Sequence, residues 1–192
     1  MTTYKILPDH ERFCAFALPM KTVLLALGKE IPPTRLMHFY KHNLSLKTAW
    51  TAISASFEPI DGVTTSAAIP DLTVWAPGTM VLSDKAANAL PEITSSGELL
   101  PVETPEGQYW ILNCLTEINA DEQYSRHSLE SGQVLDVESL QFNDEDAAKA
   151  GLFKSAFDGY RNLFCSKKVM DSILNAKLVG LKFSENLASG FE

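Results

Sequence analysis

His38 and His42 stand four residues apart, a spacing that places both imidazoles on one face of a helix and suits a two-histidine metal site. Between them lie Phe39, Tyr40 and Lys41, so the glutamate of a zinc protease is missing and a lysine sits where it repels a cation. With no third ligand nearby, surface or core histidines are the favoured reading. A Cys–His nucleophile pair can be drawn from Cys14 with His10, or from Cys165 with any histidine. Cys165 precedes a predicted helix start, which favours a thiolate, but it also ends an apolar strand, where burial does the opposite. Ser83 and Ser166 each occupy a strand-to-helix turn, the place of a hydrolase nucleophile, without the Gly-x-Ser-x-Gly context. Helix capping accounts for both. The chain has no Walker loop, no dinucleotide glycine motif, no Cys-x-x-Cys pair and no calcium loop. The residue types alone offer no mechanism.

The elements that would position these groups are easier to read. Residues 163–183 predict a strand, a cap at Ser166, one amphipathic helix, a turn at Gly180 and a closing strand. In that helix Val169, Met170, Ile173 and Leu174 form the expected buried stripe, and Lys177 suits the negative helix end. Residues 80–90 repeat the grammar: apolar Met80, Val81 and Leu82, a cap at Ser83, Asp84 at the positive helix end, and Pro91 as the stop. Residues 99–102 and 109–115 predict paired strands around the turn Thr104, Pro105, Glu106, Gly107. Residues 134–142 predict a half-exposed strand, and 144–150 a polar connector or one helical turn. Nearer the start, residues 4–7, 50–57 and 72–75 predict strands and 34–42 a helix. The apolar runs 13–18 and 23–27 fit strand or helix equally. This order predicts an α+β fold, a mostly antiparallel sheet with two short capped helices packed on one side.

Composition sets the broad class. The chain has 192 residues, 45% hydrophobic and 21% charged, enough for one compact domain with a sizeable core. Residues 1–5 lack the basic region and apolar core of a secretory signal. The greasiest run, 13–27, is interrupted by Pro19 and Lys21 and is too short for a bilayer core of about 30 Å. Three widely spaced cysteines, Cys14, Cys114 and Cys165, argue for reduced, buried thiols. A cytoplasmic protein without a membrane segment is expected.

The net charge of −8 is unevenly spread. Residues 1–50 carry seven Lys/Arg against three Asp/Glu, whereas residues 98–146 carry twelve acids against the single base Arg126. Such a field repels nucleic acid and attracts a basic partner, or serves only as a solvated face that keeps the protein soluble.

Several segments taken in order resemble a known family. They are Leu82-Ser83-Asp84-Lys85, Leu99-Leu100-Pro101-Val102, Tyr109-Trp110-Ile111-Leu112-Asn113, Phe164-Cys165-Ser166 and Lys177-Leu178-Val179-Gly180-Leu181-Lys182-Phe183. Their order and spacing resemble immunity-protein family eleven, defined among bacterial polymorphic toxin systems. The likeness covers roughly residues 70–184, so residues 71–192 are expected to form the immunity-like α+β core and 1–70 a less typical N-terminal α/β subregion. The resemblance implies a small cytoplasmic protein that binds and neutralises a cognate toxin, with no catalytic residue, cofactor or metal. On that reading the acidic block gains a purpose, to meet a basic toxin domain. Its candidate contact residues are Glu103, Glu106, Glu117, Asp121, Glu122, Glu130, Asp136 and Glu138. Two other readings stay open at this point, an interaction protein without a toxin partner and an enzyme of unrecognised type.

Overall fold

The computed structural model describes residues 3–66, 68–130 and 133–188, the side chain of Glu130 excepted. Its centre is a five-stranded sheet in the order β3 (Ile53–Ser54), β7 (Gly97–Thr104), β8 (Gly107–Cys114), β6 (Thr79–Ser83), β5 (Leu72–Val74). All pairs are antiparallel except β3 with β7. The expected strand pair around Thr104 and Gly107 is the β7–β8 hairpin, closed in register across those two residues. Side chains alternate between two cores. Met80, Leu82, Leu112 and Cys114 enter one, while Val81, Leu100, Val102, Tyr109 and Ile111 enter the other. Both faces are covered, so β6 is apolar at successive positions rather than alternating with polar residues.

A second sheet runs β11 (Leu152–Phe153), β12 (Leu163–Ser166), β1 (Thr3–Pro8), β13 (Leu181–Ser184), antiparallel throughout. One face contributes Ile6, Leu152, Leu163 and Cys165 to the core it shares with the first sheet. Helices α3 (Asp84–Ala89) and α6 (Lys167–Asn175) add Ala86, Val169 and Ile173 to that core, and α4 (Pro91–Thr94) adds Ile93. The other face places Phe153 and Phe164 against Leu140, Phe142, Leu187 and Ala147 of α5 (Asp144–Ala150). The far side of the five-stranded sheet is covered by the N-terminal segment. There α1 (Met20–Leu27), α2 (Pro33–Leu36) and a ribbon of β2 (Ala15–Ala17) with β4 (Ser56–Glu58) bury Val23, Leu27, Leu36, Phe16 and Phe57. A second ribbon, β9 (Arg126–Glu130) with β10 (Gln133–Ser139), completes the fold.

The two serine-capped units are as the sequence predicts. Ser83 Oγ accepts from the Ala86 amide at 3.2 Å and Ser166 Oγ from the Val169 amide at 3.5 Å. Asp71 ties the two units together: Ser83 Oγ and Lys85 Nζ donate to it, and so does the Val179 amide at 3.2 Å. Gly180, at φ +114°, lies so close that a Cβ there would sit 2.2 Å from the Leu72 carbonyl oxygen. Only glycine satisfies both the positive φ and the approach.

The α+β class and its mainly antiparallel pairing agree with the expectation, but several details differ. Two sheets replace the one expected, because β1 pairs with β12 and β13 at the opposite end of the chain, Thr3 facing Ser166. Local pattern carries no trace of such a pairing. The helix expected over 34–42 stops at Leu36. Tight i→i+3 turns follow it and bring Leu36 and Phe39 together into the N-terminal core. The strand expected over 50–57 is split between two sheets. Residues 23–27 are helical and 144–150 form a full helix capped by Asn143. Leu174 is 55% exposed, so the stripe of α6 is Val169 and Ile173 with Met170 at its margin.

Candidate functional site

The groups with catalytic potential are held apart or buried. His38 and His42 are exposed beyond the end of α2, off any shared helical face. Cys14, Cys114 and Cys165 are free and buried. Burial pushes the Cys165 thiol up to about 12 and Cys114 up to about 11, the reverse of what a thiolate nucleophile requires. Ser83 and Ser166 are engaged as helix caps.

The acidic block divides by position. Glu98 is buried: its Oε1 accepts from the Leu46 amide at 2.6 Å and Asn113 Nδ2 at 2.8 Å, while Oε2 accepts from Ser45 Oγ and the Lys47 amide. This carboxylate fastens the N-terminal segment to the five-stranded sheet and is not part of the surface field. Glu103 and Glu106 are exposed at the β7–β8 turn. Glu117 lies just beyond the opposite end of β8, roughly 25 Å of strand away. Glu117 is exposed and accepts from the Tyr160 hydroxyl at 3.2 Å. Asp121 accepts from the Gln123 amide, which shapes its own turn. Glu122 and Glu138 are exposed, and Asp136 faces Arg161 at 3.8 Å. The side chain of Glu130 lies outside the described residues.

Between the later acids stands a feature the charge count does not reveal. Tyr124, Leu129, Val134 and Leu135 are 52–65% exposed. They make up four of the nine large exposed hydrophobic residues among those described, within twelve positions of the chain. Leu129 and Val134 are direct cross-strand partners of the β9–β10 ribbon, and Leu135 occupies a register shift. The root of the ribbon is fixed. His127 stacks on Phe157 with centroids 4.0 Å apart and an Nε2–carbonyl contact of 2.8 Å, while Val137, its cross-strand partner, packs on the Phe142 core. Leu129 lies two residues beyond His127 on the same face, where that face runs past its support. Adjacent Val134 and Leu135, breaking strict alternation, were the available sequence signal.

Beside the ribbon lies a cleft of about 500 Å³ whose walls include Lys5, His10, Trp75, Asp136, Asp158 and Arg161. Burial raises the Asp158 carboxyl above its ordinary range; Oδ2 accepts from Asn162, and Oδ1 is buried without a hydrogen-bond partner. Burial likewise lowers His10. Lys154 is fully buried, donates to the Tyr40 carbonyl at 2.8 Å and lies over the Tyr160 ring, and its pKa is lowered by desolvation. These groups support the seam between the second sheet, the β5–β6 turn and the ribbon.

Among the described residues no helix is long and apolar enough to cross a membrane. No curated protein matches the chain. A family match spans residues 56–187, covering both sheets apart from β1 and β3, the capped helices and the ribbon. It is to the immunity protein family Imm11, in agreement with the resemblance read from the sequence. The chain belongs to the Imm11 immunity protein family.

Proposed function

We propose that this chain is a cytoplasmic protein of a polymorphic toxin system that neutralises a cognate toxin by binding it, without catalysis, cofactor or metal. The family match over residues 56–187 carries the reading. The surface charge supports it: Glu103, Glu106, Glu117, Glu122, Asp136 and Glu138 are exposed and Asp121 half-buried, which keeps most of the acidic field in solvent, where it steers a basic partner. Glu130 joins this set by its place in the sequence. The N-terminal segment, largely outside the matched span, contributes the clamp on the sheet that Glu98 anchors.

Co-expression with the gene immediately upstream tests the reading. Restored growth together with co-purification of the pair is expected; continued toxicity with no complex refutes it. The charge component has its own test. Reversing Glu117, Asp121 and Glu122 together to lysine should slow association chiefly at low salt, where exposed charges are screened least. Unchanged association kinetics would remove the steering role.

A further inference from the structure

We propose that the distal half of the β9–β10 ribbon is the surface that grips the toxin. Its occupant is a protein domain offering an apolar recess rimmed by lysine and arginine. This rests on the toxin-neutralising reading above.

Three observations converge on this surface. First, the ribbon presents Leu129 and Val134 as a cross-strand pair, 65% and 62% exposed, with Leu135 beside them at 62%. A cluster of this kind on one short ribbon marks an interaction surface rather than the scattered apolar exposure of ordinary surfaces. Second, the root is held by packing while Leu129 and Val134 stand in solvent. The His127–Phe157 stack and the half-buried Val137, packed on the Phe142 core, fix the direction of the ribbon before any partner arrives, which lowers the ordering cost of binding. Third, the flanking charges select the occupant. Asp136 and Glu138 are exposed along β10, Glu122 is exposed in the turn that meets the ribbon root, and Arg126 is the single base of residues 98–146; from outside that block Arg161 faces Asp136 at 3.8 Å. A second copy of the chain would bring these carboxylates against their own kind, which costs affinity. Anionic membranes and nucleic acid meet the same repulsion. A basic protein surface does not.

The test compares binding of the purified product of the gene immediately upstream to four forms of the full chain. These are wild type, Leu129→Ser/Val134→Ser, Glu122→Lys/Glu138→Lys and a control, Leu25→Ser/Met37→Ser, which alters exposed apolar residues of the N-terminal segment. All substituted side chains are exposed, and thermal melts confirm that each variant folds. The serine pair should weaken binding about a hundredfold, mainly through faster dissociation, as expected for losing two well-buried apolar contacts. The lysine pair should slow association about tenfold at low salt, and less as salt rises. The control should bind as wild type. Ribbon variants that bind like wild type, while wild type binds tightly, overturn the surface and leave the immunity role standing. A wild-type chain that neither binds the toxin nor rescues growth overturns both. A wild-type dimer converted to monomer by the serine pair overturns the proposal and assigns the face to a second copy.

Discussion

Replacing Glu98 separates the structural part of the acidic block from its surface part. The Glu98 carboxylate accepts from four donors, the Leu46 amide and Ser45 Oγ at 2.6 Å, Asn113 Nδ2 at 2.8 Å and the Lys47 amide at 3.2 Å. In Glu98→Ala the contacts to the Leu46 amide and Asn113 Nδ2 are lost in buried surroundings, and each buried donor left unsatisfied costs about 1–3 kcal/mol. Asn113 Nδ2 keeps its bond to the Leu44 carbonyl, and removing a buried carboxylate returns part of its desolvation cost. The net destabilisation expected is about 3 kcal/mol. Glu98→Gln keeps one accepting oxygen and turns an amide nitrogen toward donors on the other side, for a loss of about 1–2 kcal/mol. Urea unfolding at pH 7 measures both. With a slope of about 2–3 kcal/mol per molar, the alanine variant should unfold roughly 1–1.5 M earlier than wild type. Its toxin-association rate should be unchanged under conditions where it is folded. An alanine variant within about 0.5 kcal/mol of wild type, a difference typical of surface substitutions, would refute the anchoring role.

Gly180→Ala combines a positive φ with a Cβ 2.2 Å from the Leu72 carbonyl oxygen and 2.4 Å from Pro70 Cβ. It should cost about 3 kcal/mol or more, or leave the chain insoluble; a melt close to wild type would contradict the close approach. Ser83→Ala removes a helix cap that also donates to Asp71, and should lower stability by about 1 kcal/mol in chemical denaturation. Asp158 supplies a pH test. Burial raises its carboxyl above the ordinary 3.8, so the folded chain holds the proton more tightly than the unfolded one, and stability falls as pH rises through the window above that value. Asp158→Asn should flatten that part of the stability profile and cost little at pH 7; parallel profiles for the two proteins would sink the assignment.

The sequence revealed the local units and hid the long-range ones. Both serine caps and the hairpin around Thr104 and Gly107 depend on neighbours within a few residues, so their signals survive in the chain. Gly180 is legible as a turn, but its close approach to Leu72 comes from a segment over a hundred residues away. The pairing of β1 with β12 and β13 depends on residues brought from opposite ends of the chain, and pattern reading could place these strands but not join them. The same limit applies to charge. Glu98 looks like its acidic neighbours in sequence, yet a turn more than fifty residues earlier supplies the amides that bury it. His38 and His42 have helical spacing, but α2 ends before them because Leu36 and Phe39 are drawn inward by tighter turns. At the ribbon, β10 reads as half-exposed from its pattern. That Leu129 and Val134 both stay in solvent follows from where the supporting core ends, which no local signal encodes.

Neutralisation by binding is tested most directly by titrating the toxin's activity with the purified chain, at toxin concentrations well above the dissociation constant. A linear loss of activity that ends at one chain per toxin molecule, complete as soon as the complex forms, is expected. Activity that continues to fall with time at substoichiometric amounts of the chain would mean turnover, and would contradict it.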